Sequence, residues 1–476
     1  MSQVQIFRSA NCLTRVRTRA HTSAPSFYSP ARLSQLQANL VLTTPHKETD
    51  LADKTAKTVD TPDSDTSGTN RSTESTKRGQ SPFSILGVHD YRLLVLSNLA
   101  TFAGYQIRNM AQAWIVLDRT DSATLMGLVN AMPGLAIISI SLIGGALADR
   151  TERWQLLWRT KVIIASMSLL TAVLLTANVL EWWHLIPISL MTGAMFALHN
   201  PTSQAFAVDV VGRERLVSAS SLNTGISMTA TIAGPSVGGA LLLLGHDTAF
   251  YVLTGLYAFS AFMIFRVRTR HIPVPSGRNM FSDIRLGVGY AYRTPIIRAL
   301  LVLGSSAIFM GMMQPAIPVK VKDILGLGEV GYGVMLGLSG VGALIGSFLL
   351  FAFSNKIRKG YLLIFAMLML NVSTAIFALA PNIFISGLAM FLQGFAFASW
   401  MISVPVLLQT TASEEMRGRV MSLYFMTVLT HQLGWLIGGV GIETFGIQPT
   451  LFFGITGSLV VAGAAILMTP ALRKAR

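Results

Sequence analysis

Residues Gly144 to Trp154 read GGALADRTERW. An apolar run ends in small residues, and Asp149, Arg150, Glu152 and Arg153 follow within five positions. This is the pattern of a hydrophobic helix leaving a membrane into a tight charged turn. The rest of the chain is placed relative to that turn.

The chain of 476 residues is 51% hydrophobic and 12% charged, with a mean hydropathy of +0.54, whereas soluble globular proteins carry about 25% charged residues. Its bulk therefore reads as a membrane protein. A net charge of +15 would make nucleic acid a candidate partner for a soluble chain. Here the bases lie between hydrophobic runs, where they set topology, and no nucleic-acid partner is expected. Cys12 is the only cysteine, which excludes an internal disulfide and a thiolate metal cluster. No metal and no cofactor are expected.

Residues 1–85 are rich in Ser, Thr, Asp, Lys and Pro, the composition of a disordered tail. Arg8, Arg15, Arg17, Arg19, Arg32 and Lys47 precede or flank its first acid, Glu48, a bias that resembles an organelle transit peptide. A solvated basic tail explains it equally well. From Arg92 to about residue 470, twelve hydrophobic runs follow one another, each long enough for a hydrocarbon core of about 30 Å. Six fall within 92–268 and six within 296–470, with a cytoplasmic linker over 269–295 that includes an amphipathic stretch, Ser282 to Arg293. If the N-terminus is cytoplasmic, the inner loops and C-terminal tail hold 21 Lys and Arg against three outside, Arg119, Lys320 and Lys322. Positive charge stays inside, so both termini are expected in the cytoplasm of a plasma-membrane protein, or in an organelle membrane if the tail is a transit peptide.

Sliding the chain by 206 residues places Arg92 on Arg298, Gly127 on Gly333 and ALADRTERWQLL on AFSNKIRKGYLL, so that Asp149 meets Asn355. A parallel repeat of six helices is a recognised transporter plan. GGALADRTERW resembles the signature loop between helices 2 and 3 of the major facilitator superfamily, keeping Gly145, Asp149, Arg150 and Arg153 but with Glu152 and Trp154 at positions where that pattern has Gly and a second base. ATIAGPSVGG resembles the superfamily's antiporter motif through Gly234, Pro235, Gly238 and Gly239. NPTSQAF from Asn200 and EEMRGRVMSLY from Glu414 are similar to the branch that holds the enterobactin exporter and other secretion effectors. The resemblance implies an all-α polytopic membrane protein, with twelve transmembrane helices in two pseudo-symmetric six-helix bundles of the major facilitator fold, acting by alternating access as a monomer.

Within that plan Asp149 and Arg153, four residues apart, are placed to pair at the inner end of the second span and latch the inner gate. Gly234, Gly238 and Gly239 allow close helix approach in the fifth span, and Pro235 bends it. Ionisable residues at mid-depth are costly and mark candidate binding sites. Arg108 stands there, with Tyr105 and Gln112 on the same helical face. That face is expected to look into the cavity towards an anionic or polar substrate group; a guanidinium reaching the outer surface or paired structurally is the other reading. His199 and Asn200, before Pro201, are weaker candidates, and Gln314, Gln393 and His431 weaker again. No carboxylate stands at mid-membrane, so the coupling proton implied by the resemblance has no evident carrier. Asp118, Glu443 and His199 are the candidates.

The reading is a secondary active exporter of small amphipathic, siderophore-like or drug-like compounds, with a small-molecule substrate and the bilayer as partners. An importer or symporter of the same fold and a non-transporting sensor are the alternatives. An ATP-driven pump is disfavoured, because no G-x-x-x-x-G-K-[ST] loop occurs. An enzyme is not expected, because the loops show no cluster of catalytic or ligating residues.

Overall fold

The computed structural model describes residues 82–148, 151–270, 280–353 and 359–468. Expectations for the tail before residue 82, for Asp149 and Arg150, and for Asn355 fall outside them. Regular structure among the described residues is helical throughout, with no strand. The first six long helices are α1 (His89–Thr120), α2 (Ala123–Ala148), α3 (Arg153–Thr176), α4 (Leu185–Val211), α5 (Leu216–Leu242) and α6 (His246–Arg266). The amphipathic α7 (Met280–Arg293) follows. The next hydrophobic stretch is broken into α8 (Pro295–Ser305), α9 (Ala307–Met312), α10 (Ala316–Val319) and a π turn over Lys320–Ile324. Then come α11 (Glu329–Phe353), α12 (Lys359–Leu379), α13 (Ile383–Thr411), α14 (Glu414–Val428), α15 (Thr430–Phe445) and α16 (Ile447–Met468).

Ten stretches among the described residues are long and apolar enough to cross a membrane. Helices α1 and α4 lie outside that set, although they run to 32 and 27 residues. Asn98, Arg108 and Gln112 on α1, and His199, Asn200 and Asp209 on α4, lower their hydropathy. Most of these polar side chains are buried, so the helices are polar because of what they face inside the protein.

Local chemistry sets the ends and breaks. Asp121 takes a left-handed conformation (φ 48°) and returns its N–H to Leu117, closing α1 so that α2 starts two residues later. Gly446, at φ 86°, returns its N–H to Ile442 and ends α15 before α16. The break before α10 falls at Pro315, which has no N–H to give a continuing helix. Beyond it Lys320 is fully buried, and its Nζ reaches the carbonyls of Phe377 and Ala378 at the C-terminus of α12. A cation there satisfies carbonyls that the helix leaves unpaired and complements its dipole. Lys320 therefore acts as a buried helix cap, a role its place among the outer-loop bases did not suggest.

The amphipathic stretch forms α7 and docks on α14. A Cβ on Gly287 would lie 3.2 Å from that of Arg419, and the Tyr290 hydroxyl accepts from the Ser413 N–H at 3.2 Å. Leu286, Val288 and Tyr292 remain exposed.

Candidate functional site

Arg108 on α1 is 2% exposed and has no ion pair among the described residues. Its Nη2 donates to Gln112 Oε1 at 2.8 Å and Ser189 Oγ on α4 at 3.3 Å. Ser189 also donates to Gln112 at 3.0 Å, and Gln112 Nε2 donates to Asn130 on α2 at 3.4 Å. The Nη1 of Arg108 and the buried hydroxyl of Tyr257 on α6 have no hydrogen-bond partner among the described residues. Gly104, one turn before Arg108, leaves room for the Tyr257 ring, which would stand 2.8 Å from a Cβ there. A permanently charged guanidinium is thus held by neutral oxygens with part of its donor capacity unused.

The α1 face singled out in the sequence is divided. Tyr105 lines a cavity of about 190 Å³ with Phe102, Gln106, Ile137, Phe196, Asn200, Ser227 and Thr231. Arg108 and Gln112 lie inside the bundle, where α2 and α4 supply the acceptors that a charged side chain needs in a dry environment. The Tyr105 and Phe196 rings pack 4.3 Å apart between centroids. His199 is fully buried behind this wall, edge-on to Phe102 at 6.3 Å and Phe196 at 6.0 Å, and neither ring nitrogen has a partner among the described residues. Its neighbour Asn200 lines the cavity itself. Gln393 donates to the Met313 sulfur at 2.6 Å, and Gln314 and His431 are partly buried.

Lys161 on α3 is a site residue that sequence reasoning missed, because it was counted among the inner-loop bases. It is fully buried, and its Nζ donates to Thr101 at 2.6 Å and Ser260 at 2.9 Å. Both hydroxyls pass their own protons to the Ser97 carbonyl at 2.8 Å. The available signal was Ser97 and Thr101 spaced four apart on α1, a polar stripe in a helix that should otherwise be apolar. Asn98, which donates to Ser203 at 3.0 Å and Asn223 at 2.9 Å, extends this polarity towards α5.

Of the turn after α2, Arg153 is described, and its Nη1 lies 2.7 Å from both carboxylate oxygens of Asp209 at the end of α4. The partner seen for Arg153 is therefore on another helix, not in its own turn. Trp154 donates to the Ile264 carbonyl at 2.7 Å and lies under the Arg270 guanidinium at 3.8 Å, while Glu152 stands 3.7 Å from Arg270.

The glycines of α5 divide by neighbour. Gly234 and Gly238 abut Gln106, Ile107 and Met110 on α1. Gly239 abuts Glu329 and Gly333 on α11, and a Cβ on Gly333 would lie 2.8 Å from the Pro235 carbonyl. Gly434, Gly438 and Gly439 on α15 repeat the arrangement, the first two against Gly311 and Met312 on α9 and the third against Ala123 and Gly127 on α2. Two glycine seams, α5 with α11 and α2 with α15, thus join the first six helices to the later ones. The close approaches along them involve residues 232–239 with 329–340 and 123–134 with 432–439.

The same end of the molecule carries polar ties. Glu443 accepts from Ser122 Oγ at 2.7 Å and the Thr124 N–H at 2.8 Å. Lys322 reaches Asp121 at 2.5 Å and Asp118 at 3.8 Å. Trp114 stacks on Tyr332 with centroids 6.0 Å apart. The seams and these ties draw the two sets of helices together at this end.

This arrangement is that of a membrane transporter of the major facilitator fold. The transmembrane secretion effector family matches residues 80–476, and the chain belongs to it. Both family and fold are those of transporters, not enzymes, and the protein is integral to a membrane. It is similar to the multidrug efflux pump Tap of Mycolicibacterium fortuitum (22% identical, covering 80% of this chain and 96% of Tap). It is also similar to the staphyloferrin A transporter of Staphylococcus aureus (24%, 76% and 91%) and the enterobactin exporter EntS of Escherichia coli (23%, 83% and 95%). Among solved structures, the nucleoside transporter NupG matches with a TM-score of 0.63 at 15% identity, over 80% of this chain and 98% of NupG. A bacterial homologue of the lysosomal transporter Spinster, inward-facing and unoccupied, matches with a TM-score of 0.66 at 13% identity, over 83% and 99%.

Proposed function

We propose that the chain is a secondary exporter of small amphipathic compounds of siderophore or drug type, driven by an ion gradient and working as a monomer by alternating access. In this reading α1 and α4 join the ten apolar stretches to make twelve spans, as bundles over 92–268 and 296–470, with both termini in the cytoplasm. The observation that carries it is the aromatic and amide-lined cavity of Tyr105, Phe196 and Asn200 in the first bundle, beside two glycine seams that close the end carrying Lys322 and Glu443. Positive charge places the opposite end in the cytoplasm, where an exporter collects its substrate. Asp149 belongs to the inner gate in this reading, and Arg153 with Asp209 fixes the base of its turn.

Export by Tap and by EntS supports the direction. A D-xylose–proton symporter among the fold neighbours, with a TM-score of 0.62, shows that the fold alone does not set it. The test is uptake of a catecholate siderophore and of a lipophilic cationic dye into inverted membrane vesicles with an imposed pH gradient. Gradient-dependent accumulation of either above vesicles lacking the protein is expected. Uptake only into right-side-out vesicles would make the protein an importer, and transport of neither would overturn the substrate class.

A further inference from the structure

The turn between α1 and α2 is held at both ends by charges from the other side of the seam. Lys322 lies at the C-terminus of α1, 3.4 Å from the Leu117 carbonyl and 2.5 Å from Asp121. Glu443, near the end of α15, accepts from Ser122 and from the Thr124 N–H in the first turn of α2. A cation meets a helix C-terminus and an anion meets a helix N-terminus, the signs that the helix dipoles favour. Both ties cross the interface that must part if this end is to open.

The two ties differ in what can switch them. Asp121 and Asp118 are 82% and 43% exposed, and exposed ion pairs contribute little. Glu443 instead accepts two hydrogen bonds through one carboxylate oxygen, from a hydroxyl and a backbone N–H, and stays exposed to solvent and its protons. Among the helices packed on α15, α2, α9, α10 and α16 carry no titratable side chain. Those of α14, Glu414, Glu415, Arg417, Arg419 and Tyr424, belong to the opposite end, and His431 lies about three turns from Glu443 along α15 itself. In the adjoining turn Arg119 donates to the Leu180 carbonyl at 2.9 Å, and Asp118 and Asp121 face Lys322.

We propose that Glu443 is a proton-binding site whose occupancy releases the α2–α15 seam, so that acidity on this face favours its opening. The deprotonated carboxylate makes charge-assisted hydrogen bonds, roughly twice as strong as neutral ones, and completes the N-terminus of α2. Protonation on the other oxygen, Oε1, removes the charge and with it the dipole attraction, and leaves Oε2 only a neutral acceptor for Ser122 and Thr124. The sealed state then loses a contact that the open state never had, and the equilibrium moves by that difference. In the export reading this face is extracellular, so an external proton would open the transporter on the side where substrate leaves. The proposal rests on that reading for its sidedness, but not for the latch.

The experiment places spin labels at Val179 and Phe384, both exposed and one on each side of the seam, in a Cys12→Ser background. Distances are measured by pulsed electron resonance in liposomes as the pH at this face falls from about 7.5 to about 3.3, about one unit below the ordinary glutamate value of about 4.3, since the ratio rises only as the open-state carboxylate fills with protons. The ratio of long to short distances is expected to rise on the order of tenfold. Glu443→Gln should already show the long distance at the higher pH and lose the response, while Glu443→Asp, Asp118→Asn and Asp121→Asn should retain a pH step. A step that survives in Glu443→Gln, or that vanishes in Asp118→Asn or Asp121→Asn, overturns the proposal. Proton-independent transport in the vesicle assay would instead overturn ion coupling and leave the latch standing.

Discussion

In the first six helices Lys161 lies among Ser97, Thr101 and Ser260. At positions 206 residues further on, the later helices place Met367, Leu303 and Ala307 for Lys161, Ser97 and Thr101, all buried and apolar. Arg108 finds Gln314 as its counterpart. Along the seams the same two regions agree, with Gly239 against Gly333 answered by Gly439 against Gly127. Burying an ammonium costs several kcal/mol even after relaxation, and the second region builds its core without that cost at these positions, its own buried ammonium, Lys320, capping α12 instead. The cations at these positions are therefore not required by the fold, whereas the seams are kept in both regions.

The sharpest way to break this comparison is to exchange the cores. Met367→Lys should destabilise by about 3–5 kcal/mol, since Leu303 and Ala307 offer the ammonium no acceptor. Lys161→Met should leave thermal stability in detergent within about 1 kcal/mol, since a well-packed apolar residue commonly replaces a buried charge at no loss, yet reduce transport at least about tenfold. Equal destabilisation by both would make Lys161 a structural residue and dissolve the asymmetry.

The seams are tested by treating them as equivalents. A Cβ on Gly239 would stand 2.8 Å from the Glu329 carbonyl, and one on Gly439 would meet the Ala123 carbonyl equally directly. Gly239→Leu and Gly439→Leu should each cost about 1–3 kcal/mol through overpacking and hold this end apart, giving longer label distances and little transport. A large effect in one and none in the other would mean that only one seam gates.

Arg108 comes next in size. Arg108→Met removes hydrogen bonds to Gln112 and Ser189, each worth about 1.5–3 kcal/mol for a charged donor, but also relieves a desolvated charge, so a net loss of about 1–2 kcal/mol is expected. The substrate profile should narrow towards neutral compounds if the unpartnered Nη1 meets an anionic group during transport. An unaltered profile with the same loss in melting would confine Arg108 to the polar network that joins α1, α2 and α4.

Hydrophobic length, the 206-residue repeat and the glycine motifs made the family and the helix plan legible, because those features follow from bilayer thickness and close packing. The α15 glycines take their meaning from the backbone that lies opposite them, Gly311 and Met312 on α9 and Ala123 and Gly127 on α2, which only the fold supplies. Lys161 was misread because a base eight residues past Arg153 fits a loop count as well as a core. The face of Tyr105, Arg108 and Gln112 follows from helical spacing, but its division between cavity and core depends on Ser189 and Asn130, which other helices supply. Arg153 was expected beside Asp149 by local spacing, whereas the carboxylate that the structure describes beside it, Asp209, comes from a residue 56 positions away.

That last pairing gives the smallest and cleanest measurement. Arg153 and Asp209 are 20% and 9% exposed, so the pair is shielded more than a surface bridge yet remains in reach of water. Arg153→Gln and Asp209→Asn should each lower stability modestly, and their double-mutant cycle should return a coupling energy of about 1 kcal/mol that shrinks in high salt. The later helices place Lys359 at the position of Arg153. Lys359→Gln is the matching substitution in the later helices, and a tie confined to the first six helices predicts that it is close to neutral. Coupling of Arg153 to Asp149→Asn in place of Asp209→Asn would move the tie back into the turn itself and make the latch local.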